Sequence, residues 1–119
     1  MTTTESTEIT GESATEPVHI HDPSELSALV EAGEVVFTDF HADWCGPCRM
    51  LEPIAERIAA ETSAVVAKVD VDEQPQLAAN YQVQGIPTMV LFADGGPVER
   101  IVGLRGEDQL LKLVEGHTN

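Results

Sequence analysis

A chain of 119 residues is enough for one domain with a single core and too short for two. Six basic residues stand against 21 acidic ones, for a net charge of −15, so there is too little Lys and Arg to neutralise a phosphate backbone or an anionic membrane surface, and both kinds of partner are excluded. No apolar run approaches the ~20 residues of a bilayer span.

Residues 1–17 are Thr, Ser and Glu around one isolated Ile9, a composition that cannot offset the entropy of ordering, and a disordered acidic tail is expected there. This N-terminus lacks the basic start and apolar stretch of a secretory signal, and its four acids do not suit an organelle transit peptide. A cytoplasmic address is the expectation by elimination. The acidity serves solubility, or more pointedly residence in a high-salt cytoplasm, since Lys68 and Lys112 are the only lysines.

One domain is expected over residues 18–116. Val18 to His21 reads as a short first strand. Asp22-Pro23-Ser24-Glu25 starts a helix, with Asp22 as N-cap, Pro23 at the first helical position and Glu25 completing a capping box. Leu26, Leu29 and Val30 form its apolar stripe, and Gly33 ends it. Val35 to Phe40 is an apolar, β-branched and aromatic strand, and Gly46-Pro47 breaks the pattern. From about Cys48 to Thr62 a helix follows, with Met50, Leu51, Ile54 and Ile58 on one face and a kink expected at Pro53. Ala64 to Val71 is a third strand, and Glu73-Gln74-Pro75 starts a short helix through Leu77 and Tyr81 that ends before Gly85. Two more strands, Thr88 to Ala93 and Pro97 to Val102, are joined by an Asp94-Gly95-Gly96 turn. Gly106 to Glu115 is a last helix burying Leu110, Leu111 and Val114. The order βαβαβαββα implies an α/β fold, a mixed central sheet flanked by helices.

Both cysteines lie where the second strand hands over to a helix N-terminus, at which unpaired N–H groups and the helix dipole favour a thiolate. The thiolate is the attacking species in disulfide exchange, and two cysteines three positions apart can close on each other, so the first reading is a dithiol redox site. An inert pair and a metal half-site are the alternatives. The four histidines, His19, His21, His41 and His117, do not supply the closely spaced second ligands of structural zinc, so no metal is expected. Asp39 is the other conspicuous residue. Alternation puts it on the face of Val35 and Phe37, and a carboxylate buried there has its pKa raised.

Trp44-Cys45-Gly46-Pro47-Cys48 after a strand, Val66-Ala67-Lys68-Val69-Asp70-Val71-Asp72, and Gly85-Ile86-Pro87-Thr88 together resemble the thioredoxin family, over roughly Ile20 to Val114. The resemblance implies the thioredoxin fold and a protein-disulfide reductase that cycles between a dithiol and a Cys45–Cys48 disulfide. It implies Cys45, nearest the turn and more exposed, as nucleophile and Cys48 as the resolving thiol. Asp39 would move a proton to or from Cys48, and Lys68 matches the family lysine that approaches this acid; a solvated surface lysine is the other reading. Pro87 is expected cis, with the Ile86 backbone pairing an extended substrate segment. Trp44 would flank the cysteines as an apolar platform, Gly85 and Gly103 would keep the docking surface low, and Gly46-Pro47 resembles the reducing members of the family. No bound cofactor is implied, so electrons come from a separate thioredoxin reductase and pass to disulfide-containing target proteins, with the chain acting as a monomer. A disulfide isomerase or oxidase of the same fold, and a non-catalytic binding subunit, are the alternatives. His41 departs from the family, many of whose members carry a large aromatic residue there; a satisfied structural imidazole is the expected role.

Overall fold

The computed structural model describes residues 15–118. The sequence reading of residues 1–17 as a disordered tail falls mostly outside these. Among the described residues, strands β1 (Val18–His19), β2 (Val36–His41), β3 (Val65–Asp70), β4 (Thr88–Ala93) and β5 (Gly96–Val102) alternate with helices α1 (Pro23–Glu31), α2 (Gly46–Glu61), α3 (Pro75–Asn80) and α4 (Glu107–Glu115). The sheet order is β1-β3-β2-β4-β5. β3 runs parallel to β1 and β2, whereas β4 is antiparallel to both β2 and β5.

β2 is the central strand, and all six of its residues are buried because helices cover the sheet on both faces. Its pleat divides the core. Val36 and Phe40 pack with Ala67, Val69, Val90 and Phe92 under Leu26 of α1 and Leu77 of α3. Phe37 packs with Val66, Met89 and Leu91 under Leu51, Ala55 and Ile58 of α2 and Leu110 of α4. Asp39 shares the second face by alternation, so a carboxylate lies beneath α2, where the apolar pattern calls for a hydrophobic side chain.

Local chemistry sets the ends of the elements. Glu25 reaches back to the N–H of Asp22 (3.3 Å) at the start of α1, and Gly33, at φ 84°, takes the chain out of that helix. α2 begins at Gly46, two positions before the start expected from the sequence, since Gly46 and Pro47 occupy its first turn and Cys45 is the N-cap. It continues without a break through Pro53. The β4–β5 turn is tighter than the expected three residues. Ala93 pairs with Gly96 across Asp94 (φ 56°) and Gly95 (φ 87°), the two positive φ values of a type I′ hairpin.

Candidate active site

The site assembles at the end of β2, where the chain turns through Ala42–Trp44 into α2. The Cys45 N–H is bonded to the Ala42 carbonyl, and Cys45 caps the helix, its Sγ accepting from the Cys48 N–H at 3.2 Å. Cys45 and Cys48 are joined in a disulfide, with Cα atoms 5.2 Å apart. The capping geometry aims the Cys48 N–H and the positive helix end at Cys45 Sγ, which favours negative charge on that sulfur. Cys45 is the more exposed of the pair, as expected, but by very little, at 4% against 2% for Cys48. Both side chains pack against Ala42, Val71 and Ile86, so the position at the cap, and not exposure, distinguishes them.

Facing the disulfide is the loop before β4. The Ile86–Pro87 peptide is cis, and the Ile86 carbonyl oxygen lies 3.8 Å from Cys45 Sγ. The Pro87 carbonyl accepts from Gly103 N–H (2.8 Å), and Thr88 Oγ1 donates to the Gly85 carbonyl (2.5 Å), tying the loop to β5 and to itself. Arg100 of β5 donates to the carbonyls of Tyr81 and Gln82 (2.8 Å each), fixing the chain as it leaves α3. Gly103 has φ 93°, which a residue with a side chain rarely adopts. Gly85 is under no such constraint, and a Cβ there would meet Val102 in ordinary contact. A Cβ on Gly46 would meet nothing within 4 Å.

Trp44 is 68% exposed beside the cysteines, and its indole Nε1–H donates to Asp72 Oδ2 at 2.9 Å. Asp72 is a site residue that sequence reasoning missed as such, although it lies in the stretch that carried the family resemblance. The backbone of the same turn is pinned by Asp70 Oδ1, which accepts from the Asp72 N–H at 2.9 Å.

On β2, Asp39 is fully buried, and neither carboxyl oxygen has a hydrogen-bond partner among the described residues. Burial pushes its pKa from 3.8 up to about 7; the nearby Lys68 opposes this, and Glu52 adds to it. Asp39 pairs in register with Lys68 of β3 and Met89 of β4. Lys68 is 7% exposed, which excludes a solvated surface lysine, yet its ammonium pairs with Glu52 of α2 (Nζ–Oε2 3.7 Å) and not with Asp39.

His41 is 9% exposed, and its Nε2 has no partner among the described residues, so the imidazole is not the satisfied structural group expected from the sequence. Burial, then Lys68, pushes its pKa down, which keeps the ring neutral at pH 7. Thr38 Oγ1 is likewise buried without a partner. Three unpaired polar side chains on one six-residue strand is a concentration that ordinary cores avoid. Among the described residues no three His, Cys, Asp or Glu side chains converge as a metal site, and no helix is long and apolar enough to cross a membrane.

Comparison with known proteins places this arrangement. The family model for thioredoxin matches residues 17–116. A thioredoxin from Mycobacterium tuberculosis is 46% identical over 97 residues, covering 80% of this chain and 84% of the relative. A bifunctional thioredoxin reductase/thioredoxin from Mycobacterium leprae is 44% identical over 97 residues, 80% of this chain and 21% of that protein. Among solved structures, a mutant thioredoxin from Halobacterium salinarum superposes with a TM-score of 0.86 at 51% identity, covering 89% of this chain and 94% of that one.

Proposed function

The chain belongs to the thioredoxin family, and from that premise we propose the roles of its residues in the thiol–disulfide exchange that it carries out as a protein-disulfide reductase. In the reduced protein the Cys45 thiolate, held by the N-terminus of α2, attacks one sulfur of a target disulfide. The target S–S bond breaks, one sulfur leaves as a thiolate that takes a proton from water, and Cys45 Sγ is joined to the other. Cys48 then passes its thiol proton to the Asp39 carboxylate and attacks Cys45 Sγ. The Cys45–Cys48 bond forms, and the second target sulfur leaves as a thiolate. Two electrons have moved from the dithiol to the target. A carboxyl with a pKa of about 7 suits the exchange in both directions, being a base in one and an acid in the other near neutral pH.

Substrate is held by the rim of the site. The exposed Trp44 face and the Gly46-Pro47 turn offer apolar contact, and the Ile86 backbone pairs with an extended segment in the manner of an added strand. Gly85 and Gly103 leave room for that segment. The disulfide that caps α2 beside the Ile86 carbonyl is the observation that carries this reading. A separate thioredoxin reductase returns the electrons; the fusion of both activities in the Mycobacterium leprae relative supports that pairing. A reducing cytoplasm suits such a dithiol, and the chain acts as a monomer with no bound cofactor. The test supplies a thioredoxin reductase and its electron donor and follows cleavage of insulin disulfides. Many turnovers per molecule of this protein are expected; reduction no faster than by a small dithiol at equal concentration would overturn the reading.

The charge of −15 and the likeness to the Halobacterium salinarum protein support a high-salt cytoplasm as the working environment. Leaving aside the first 17 residues, 17 acids oppose 6 bases on the rest of the chain, and they repel more when held on a compact domain than along an expanded chain. Raising KCl from ~0.01 M to ~1 M shortens the Debye length from ~30 Å to ~3 Å. The melting temperature should climb across that range, and a variant with several surface Glu changed to Gln should melt higher at low salt and respond less to KCl. Identical slopes for the two proteins would mean that the acidity is incidental.

A further inference from the structure

A single ammonium, on Lys68, stands between two carboxylates. Asp39 is its cross-strand neighbour in the core, and Glu52 lies on α2, one helical turn after Cys48. The lysine is committed to Glu52, at 3.7 Å, while both oxygens of Asp39 are left without a partner. The pair sits in a groove of about 570 Å³, walled by His19, Glu56 and the Thr15–Pro17 segment. The Glu52 side chain is 52% exposed and so keeps much of its hydration. Pairing with it therefore lets the ammonium point toward water, whereas pairing with Asp39 would draw the charge further into the core.

We propose that Glu52 is a positioning residue for proton transfer at Asp39: by holding the Lys68 ammonium in the groove it keeps the buried carboxyl free of a counter-ion. This rests on the reading of Asp39 as the base for Cys48. The charged groups acting on Asp39 are Lys68 from β3 and Glu52 from α2; its β4 neighbour is the apolar Met89, and on its own strand the imidazole of His41 is neutral. Glu52 acts in two ways of the same sign. Its own negative charge disfavours ionisation of Asp39, and its hold on Lys68 weakens the one interaction that favours it. A carboxyl left in this state binds its proton tightly enough to accept one from a thiol near pH 7.

The test is a ¹³C NMR titration of the Asp39 carboxyl in the oxidised protein. Glu52→Gln should lower the midpoint by roughly half a pH unit or more, since it removes a like charge that disfavours ionisation of Asp39 and frees the ammonium that favours it. Lys68→Met should raise it. In the Lys68→Met background, Glu52→Gln should have a clearly smaller effect, because the part of its action that passes through the ammonium is gone. Glu56→Gln makes the same charge change in the same groove without an ion pair to Lys68, and should leave the midpoint nearly in place. An unmoved midpoint in Glu52→Gln overturns the proposal, as does an equal shift in Glu56→Gln, which would mark a general field. A loss of helix stability alone would not produce this pattern. Should the midpoint move as expected while Asp39→Asn resolves mixed disulfides at the wild-type rate, the base reading of Asp39 fails and the charge arrangement stands.

Discussion

Replacement of Cys45 by Ser should abolish disulfide reduction, a loss of roughly 1,000-fold or more, because a hydroxyl does not ionise near neutral pH and cannot form the mixed disulfide. Replacement of Cys48 by Ser should stop turnover at a different point. Cys45 still attacks, nothing resolves the adduct, and target proteins accumulate in covalent complexes that a reducing agent releases. The asymmetry follows from the cap. Cys45 Sγ receives the Cys48 N–H at 3.2 Å and lies 3.8 Å from the Ile86 carbonyl, where a bound segment would run. Exposure does not separate the two sulfurs, so the N-terminus of the helix must. Non-reducing electrophoresis followed by mass spectrometry of the trapped species identifies the linked cysteine. Adducts that form through Cys48 in the Cys45→Ser protein, and not through Cys45 in the other, would reverse the assigned roles.

Asp39→Asn should stabilise the fold and slow resolution. In the unfolded chain the carboxyl titrates near 3.8, and in the fold near 7. The folded state therefore holds the proton more tightly, and the wild-type protein loses stability as pH rises from about 4 to about 7. A displacement of about three pH units corresponds to roughly 4 kcal/mol above pH 7. An amide buried in the same place also lacks partners, which offsets part of that gain. The net expectation is about 2 kcal/mol of added stability at pH 8, turning into a loss of about 2 kcal/mol at pH 3, where the wild-type carboxyl is protonated in both states and only the amide penalty remains, measured by denaturant unfolding of the oxidised proteins. Reduction should slow at neutral pH as Cys48 loses its proton acceptor. Equal stability of the two proteins at pH 8 would show that the burial of Asp39 carries no electrostatic penalty.

The fold was legible because local signals agree with one another. β-branched runs marked the central strands, Asp22-Pro23 and Pro75 marked helix starts, and Asp94-Gly95 marked the hairpin, each through a backbone preference that acts within a few residues. Asp39 was legible for the opposite reason, as a charge in a run whose alternation demands an apolar side chain. What pattern could not give is where long side chains end up. The family resemblance puts Lys68 near Asp39, and register does make them neighbours, but the choice of Glu52 as its partner depends on a helix crossing above the sheet. The hydrogen bond from Trp44 to Asp72 joins residues 28 apart in sequence. His41 was expected to be satisfied, as buried polar groups generally are, and its bare Nε2 comes from what the packing around it fails to supply.

The rims of the sheet carry a consequence for the protein at high concentration. β1 is only two residues long, which leaves little backbone for a foreign strand to copy. At the opposite rim, β5 has Pro97, which lacks an N–H, and the ladder to β4 slips between Leu91 and Phe92, an irregularity that twists the strand. Glu99 and Arg100 follow along the same strand. Nucleation of cross-β stacking needs a long, flat, uncharged template, and neither rim offers one. The domain can thus be held at high concentration without its sheet edges seeding a shared aggregate.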